Sequence, residues 1–111
     1  MASEQSLSKT LLKIEVLTPK RSMNKIMKEL RKVGAGTCYG YETFTAVPVT
    51  NYYTRQENTI DCFGSEVGEQ VKKEEIKLEF NCYALQLEAT VAAIMRVHPY
   101  VRPNVRILPL L

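Results

Sequence analysis

The stretch Glu75-Ile76-Lys77-Leu78-Glu79-Phe80-Asn81-Cys82 decides the fold. Ile76, Leu78, Phe80 and Cys82 occupy every second position, and Glu75, Lys77, Glu79 and Asn81 fill the places between. A period of two puts the first set on one face of a β-strand and the second on the other. The strand reads from Val71 to Cys82. Before it, Asn51 to Gly68 shows little periodicity and carries Asn, Thr, Arg, Gln, Glu and two glycines, so residues 50–70 are expected as a long, functional loop. Upstream again, Thr37 to Val49 is rich in Thr, Tyr, Phe and Val and reads as another strand, irregular near Gly40.

On the C-terminal side, Leu87, Val91, Ile94 and Met95 repeat at helical spacing and predict a helix over 85–97, bounded by Pro99. Val105 and Ile107 flank Arg106 in a short last strand, with Pro109 limiting its extension. At the N-terminal side, Leu11 to Leu17 alternates as a strand does. Thr18-Pro19 supplies a hydroxyl cap and an N1 proline for a helix. Its stripe is Met23, Ile26, Met27, Leu30 and Val33, and Gly34-Ala35-Gly36 ends it. The order strand, helix, strand, strand, helix, strand predicts an α+β, ferredoxin-like βαββαβ fold, a four-stranded antiparallel sheet with two helices on one face. Residues 1–10 are expected as a flexible N-terminus and 11–111 as one domain. The open sheet face calls for a cover, and a second subunit supplies it most economically.

At 111 residues, 45% hydrophobic and 24% charged, the chain is of ordinary globular make-up. A net charge of +3 with interleaved acids makes nucleic acid an improbable partner. Cys38, Cys62 and Cys82 are odd in number and widely spaced, which fits neither a disulfide framework nor a CxxC metal motif. With no signal-like start and no apolar run of membrane-spanning length, a cytoplasmic protein is expected.

Gly34-Ala35-Gly36, Tyr41, the Gly64 to Gly68 region, Glu74 or Glu75, and His98-Pro99-Tyr100 before Leu108-Pro109-Leu110 occur in an order that resembles the inserted domain of YqfO-type, Nif-three-like proteins. That domain is similar to the CutA and PII proteins, so the resemblance implies the same ferredoxin-like fold and a homo-oligomer, a trimer in those families. The chain departs from the pattern at Val101 and Arg102, where the family usually has two glutamates, and at Arg106 in place of an acidic residue.

No catalytic constellation is visible, and the chain reads as a non-enzymatic regulatory or assembly module. By the resemblance it binds a small ligand or protein partner through loop 50–70 and an inter-subunit cleft. Gly36, Tyr41, Arg55, His98, Tyr100 and Arg102 are the candidate ligand-binding residues. Arg55, Arg102 and Arg106 suit phosphate or carboxylate. No cofactor is required by the sequence; a nucleotide is one candidate ligand. The alternative is a CutA-like divalent-metal protein in which His98 and Cys38, or Cys82, from adjacent chains hold the ion, although a lone histidine lacks the three or four ligands such a site needs.

Overall fold

The structure is a computed structural model, and it describes residues 10–58, 64–100 and 102–110. The elements are β1 (Leu11–Thr18), α1 (Met23–Lys32), β2 (Thr37–Cys38), β3 (Tyr41–Glu42), β4 (Thr45–Thr54), β5 (Gln70–Tyr83), α2 (Leu87–Val97) and β6 (Val105–Pro109). One-turn 3₁₀ segments, Lys20–Ser22 and Ala84–Gln86, lead into the two helices. β4, β5, β1 and β6 form one antiparallel sheet in that order, and β2 with β3 forms a separate short hairpin. This is the expected ferredoxin-like sheet.

The alternation in β5 carries the core. Leu78, Phe80 and Cys82 meet Ile14 and Val16 of β1, Ile26 and Leu30 of α1, and Ala93 and Ile94 of α2 in one buried cluster. The other sheet face is ionic: the Lys13 ammonium lies 3.3 Å from Glu15 and 3.5 Å from Glu79, and Lys77 lies 3.2 Å from Glu79. Alternating side chains thus divide one sheet into an apolar and a charged face.

Four local readings change. The expected strand over 37–49 is three strands, because Gly36, at φ +88°, turns the chain, and Tyr39 itself adopts φ +51° between β2 and β3. The expected loop 50–70 is shorter: Asn51–Thr54 continue β4, paired with Lys73–Gln70 of β5. Thr18 is fully buried at the end of β1, and its hydroxyl donates to the Pro19 carbonyl at 3.0 Å instead of capping α1. Pro109 belongs to β6 instead of limiting it.

The last point has a geometric cause. Leu17 N–H donates to Asn104 O and Leu110 N–H to Leu11 O, so the even residues of β6 face β1 and the odd ones face outward. Pro109 therefore places its missing N–H on the free edge, where no ladder bond is lost. The same parity carried across β1 and β5 turns Pro48 of β4 outward on the opposite edge.

The helix ends follow the sequence more closely. Gly34 N–H donates to Arg31 O at 3.1 Å and Ala35 N–H to Leu30 O at 3.1 Å, the paired bonds of a Schellman motif, with Gly34 at φ +77°. Gln86 ties this turn to α2: its side-chain amide donates to Gly34 O at 3.3 Å, and its Oε1 accepts from Tyr83 N–H at 3.0 Å.

β4 and β5 run past the end of β1, which stops at Thr18 opposite Ile76, so the far half of this hairpin is a two-stranded arm. The molecule measures 49 × 30 × 25 Å with a radius of gyration of 15.8 Å. A compact chain of this length would have about 13 Å.

Candidate functional site

The candidate residues occupy three stations along β5. Gly36 N–H donates to Asn81 O at 2.9 Å, near one end of that strand. Tyr100 reaches Glu75 in the middle, and Arg55 lies beyond Gln70 at the tip of the arm. At ~3.4 Å per residue, neighbouring stations are about 17–20 Å apart. One subunit therefore does not bring all six candidates together.

At the first station, Gly36, Cys38, Tyr41, Lys13, Glu79 and Asn81 line a half-open cleft of about 270 Å3. Its entrance belongs to the β2–β3 hairpin, where Tyr39 is 81% and Tyr41 78% exposed. Phe80 also lines the cleft, backed by Phe44. The Phe44 ring packs 5.4 Å from that of Phe80, and the Arg31 guanidinium, held by Glu42 at 2.7 Å, sits 5.8 Å from the Phe44 centroid. Gly36 is obligatory here, since a Cβ would lie 2.6 Å from Phe44 Cζ. Cys38 lies beside Tyr83, whose phenol burial pushes upward with the thiol adding to the effect. Cys82 is buried in the core, and that burial raises its thiol above the ordinary value.

At the second station stands Glu75, 3% exposed. Its Oε1 accepts from Tyr53 Oη at 2.7 Å and from Asn51 Nδ2 at 3.1 Å, and its Oε2 accepts from Tyr100 Oη at 2.8 Å. Burial alone would raise this carboxyl. The three donors, with the charge of Lys73, outweigh it and hold the group below the ordinary value. Burial, then the hydrogen bond to this carboxylate, pushes Tyr53 up to about 12 and moves Tyr100 in the same direction. Alkaline titration followed by tyrosinate absorbance is expected to leave the Tyr53 phenol protonated until about pH 12. In Tyr53→Phe the step near pH 12 should lose one tyrosinate, while the later one of Tyr100 remains.

His98 belongs to the same station. Its Nε2 lies 2.6 Å from Leu17 O, and a carbonyl can only accept, so the proton sits on Nε2. Nδ1 then accepts from Tyr100 N–H at 3.1 Å, and the two rings meet edge to face at 4.8 Å. Both ring nitrogens are engaged. A metal at His98 would require one of these bonds to break, and Cys38 is at the other station. Among the described residues, no three His, Cys, Asp or Glu side chains gather as a metal site. Cys62 lies outside the described residues.

At the third station, Arg55 Nη1 donates to Ser65 O at 2.7 Å and its backbone joins Gly68 and Glu69, so it braces the arm's tip. Arg102 is exposed. Neither Asn51 nor Tyr53 is among the candidate residues read from the sequence, where Tyr53 is one of several aromatics crowding the second strand and the loop after it. Both share a face with Glu75 by strand parity, and that parity was the available signal.

No family model matches the chain, and no curated protein matches its sequence. Solved structures match it in shape. GlnK of B. subtilis, in a complex with ATP, superposes with a TM-score of 0.67 over 93% of this chain and 84% of its own, at 16% identity. CutA1 of Oryza sativa gives 0.70 over 96% of this chain and 84% of its own, at 17% identity. The fold is that of CutA and GlnK. A Bacillus cereus protein related to NIF3 gives 0.78 over 91% of this chain at 22% identity, and the chain spans 26% of that protein's length. At these identities the likeness to the CutA/GlnK group is one of fold, and function has to be argued from the sites. Among the described residues, no helix is long and apolar enough to cross a membrane.

Proposed function

We propose that the chain is a non-enzymatic regulatory or assembly module that works as a homo-oligomer. It takes a small ligand at the cleft beside Gly36 and Tyr41 and a partner through the arm. The observation that carries this reading is the cleft itself: a concave site with an ionic floor and two exposed tyrosines on a hairpin outside the main sheet. Exposed aromatics at the rim of a concavity are what recognition sites use.

Two features support an oligomer. Candidates set 17–20 Å apart in one chain need a neighbour to complete a site. The last strand, β6, is an edge whose Ile107 and Leu108 remain 45% and 40% exposed, an arrangement that proteins ordinarily cover. That GlnK is known in a complex with ATP makes adenine nucleotides the first ligands to try. Calorimetry with adenine nucleotides, cyclic nucleotides and divalent cations, beside light scattering, tests both parts. A saturable ligand is expected, with Tyr41→Ala weakening it by about tenfold or more. Failure of every ligand sinks the small-molecule half, and a monomer at about 100 μM, a concentration at which weak association is populated, sinks the oligomer half.

The metal-binding reading draws on a CutA described as a periplasmic divalent cation tolerance protein, TM-score 0.68 at 14% identity. It requires His98 to give up its bond to either Leu17 or Tyr100. Undiminished copper and zinc stoichiometry in His98→Ala would remove it.

A further inference from the structure

We propose that His98 is a proton-operated latch. In its neutral form it fastens Tyr100 to the end of β1, and Tyr100 in turn ties the approach to β6 to the arm through Glu75. The geometry rests on direction. Leu17 O can only accept and Tyr100 N–H can only donate, so the ring fits between them only with one proton, on Nε2. A second proton, on Nδ1, would face the Tyr100 N–H donor to donor, and that bond must open. No rotation of the ring restores it, because a flipped imidazolium still presents only donors.

What the latch holds is unusual in reach. The Tyr100 side chain crosses to Oε2 of Glu75, whose other oxygen is bound by Tyr53 and Asn51 of β4. Two strands, β4 and β5, and the turn before β6 thus converge on one carboxylate. The same turn leads to Asn104, whose carbonyl accepts from Leu17 N–H at 3.2 Å and begins the β1–β6 pairing. Leu17 therefore meets this segment twice, through its carbonyl to His98 and through its amide to Asn104. The charged ring can still donate to Leu17 O, but with the Tyr100 bond open the segment between His98 and Asn104 is held only at its ends, and the start of the β1–β6 pairing loosens.

Several groups bear on His98. Glu75 from β5 acts on it directly and favours the charged ring, while Tyr53 from β4, Lys73 behind the carboxylate, and Arg21 from the turn after β1 act on Glu75 and Tyr100. Burial outweighs the Leu17 hydrogen bond and Glu75, and holds the imidazole below its ordinary 6.5. The folded chain accordingly binds the proton less readily than the unfolded chain. The stabilisation is full above 6.5 and disappears as pH falls from there toward the depressed folded value. Once charged, the ring is drawn to Glu75 and competes with the Tyr100 hydroxyl for it.

Hydrogen exchange read residue by residue on the full chain tests the latch. Between about pH 7.5 and about pH 5, the amides of Tyr100, Leu17 and Arg106, corrected for intrinsic rates, are expected to lose protection by about tenfold relative to Leu78 in the core. In His98→Gln, which can donate to Leu17 O but cannot titrate, the ratio should stay flat. Tyr100→Phe keeps the backbone bond and cuts the link to Glu75; the loss at Leu17 should persist while the arm amides at Asn51 and Tyr53 lose protection at both pH values. Equal pH dependence in wild type and His98→Gln overturns the proposal. If the glutamine variant is too unstable to measure, the ring 15N shifts of the wild type decide: a neutral-pH proton on Nδ1 overturns the latch, and one on Nε2 that titrates together with the Tyr100 amide upholds it.

Discussion

Glu75→Ala is expected to lower the unfolding free energy by about 3 kcal/mol, read as a fall of roughly 15 °C in the melting temperature. The carboxylate is a shared acceptor for Tyr53, Asn51 and Tyr100, and all three donors lose their partner together when it is removed. Hydrogen bonds to a charged group contribute more than neutral ones, and the bonds within one network do not add, so the sum of three separate bonds is an upper limit. Glu75→Gln should cost less, about 2 kcal/mol, because one oxygen remains an acceptor while the new NH2 faces a donor. If either variant melts like the wild type, the carboxylate is not the tie between the arm and the turn before β6. The pH dependence has a definite sign. The folded carboxyl is held below its ordinary value, so its stabilisation is complete above 4.5 and is lost as pH falls through the folded value. That acid loss should be absent in Glu75→Gln.

Gly36→Ala should have an effect of similar size, about 2–3 kcal/mol, for a different reason. At φ +88° an alanine is strained by about 1 kcal/mol or more, and its methyl would overlap the Phe44 ring. The ring cannot swing freely, because Phe80 and Arg31 both pack against it. Phe44 must shift, disturbing its contact with Phe80 in the core. Thermal unfolding of Gly36→Ala and of the double variant Gly36→Ala/Phe44→Leu checks the cause. Leucine ends short of the Cζ position and should recover part of the loss; no recovery would assign the whole effect to the backbone.

Much of the fold is legible because single strands and helices carry it. Ile76, Leu78, Phe80 and Cys82 announce a strand buried on one face, and Gly34-Ala35-Gly36 announces a helix end with its Schellman bonds. The arm is not legible in the same way. Asn51–Thr54 lack apolar alternation because no helix covers that part of the sheet, so a genuine strand there resembles a loop. Of the site, His98 and Tyr100 stand out as a sole histidine beside a proline turn, but their roles depend on Leu17, 81 positions away, and on Glu75, 25 away. The role of Glu75, which the family resemblance leaves open between Glu74 and Glu75, is hidden for a further reason: it sits among Lys73, Glu74 and Lys77, where any charged residue reads as solvated. Only the pairing of β4 with β5 shows that Asn51 and Tyr53 turn toward it.

The two outward-facing prolines bear on what the sheet can grow into. β4 and β6 run so that the edge of one copy could continue the sheet of the next in the antiparallel sense, and repetition of that step without closure would make a fibre. Pro48 and Pro109 each withhold one donor from such a junction, so any strand added at either edge has only a short run of bonds before a gap. The chain thus carries, within its two exposed borders, a built-in stop against endless polymerisation. Associations that survive must close quickly into small rings or find their strength in side chains.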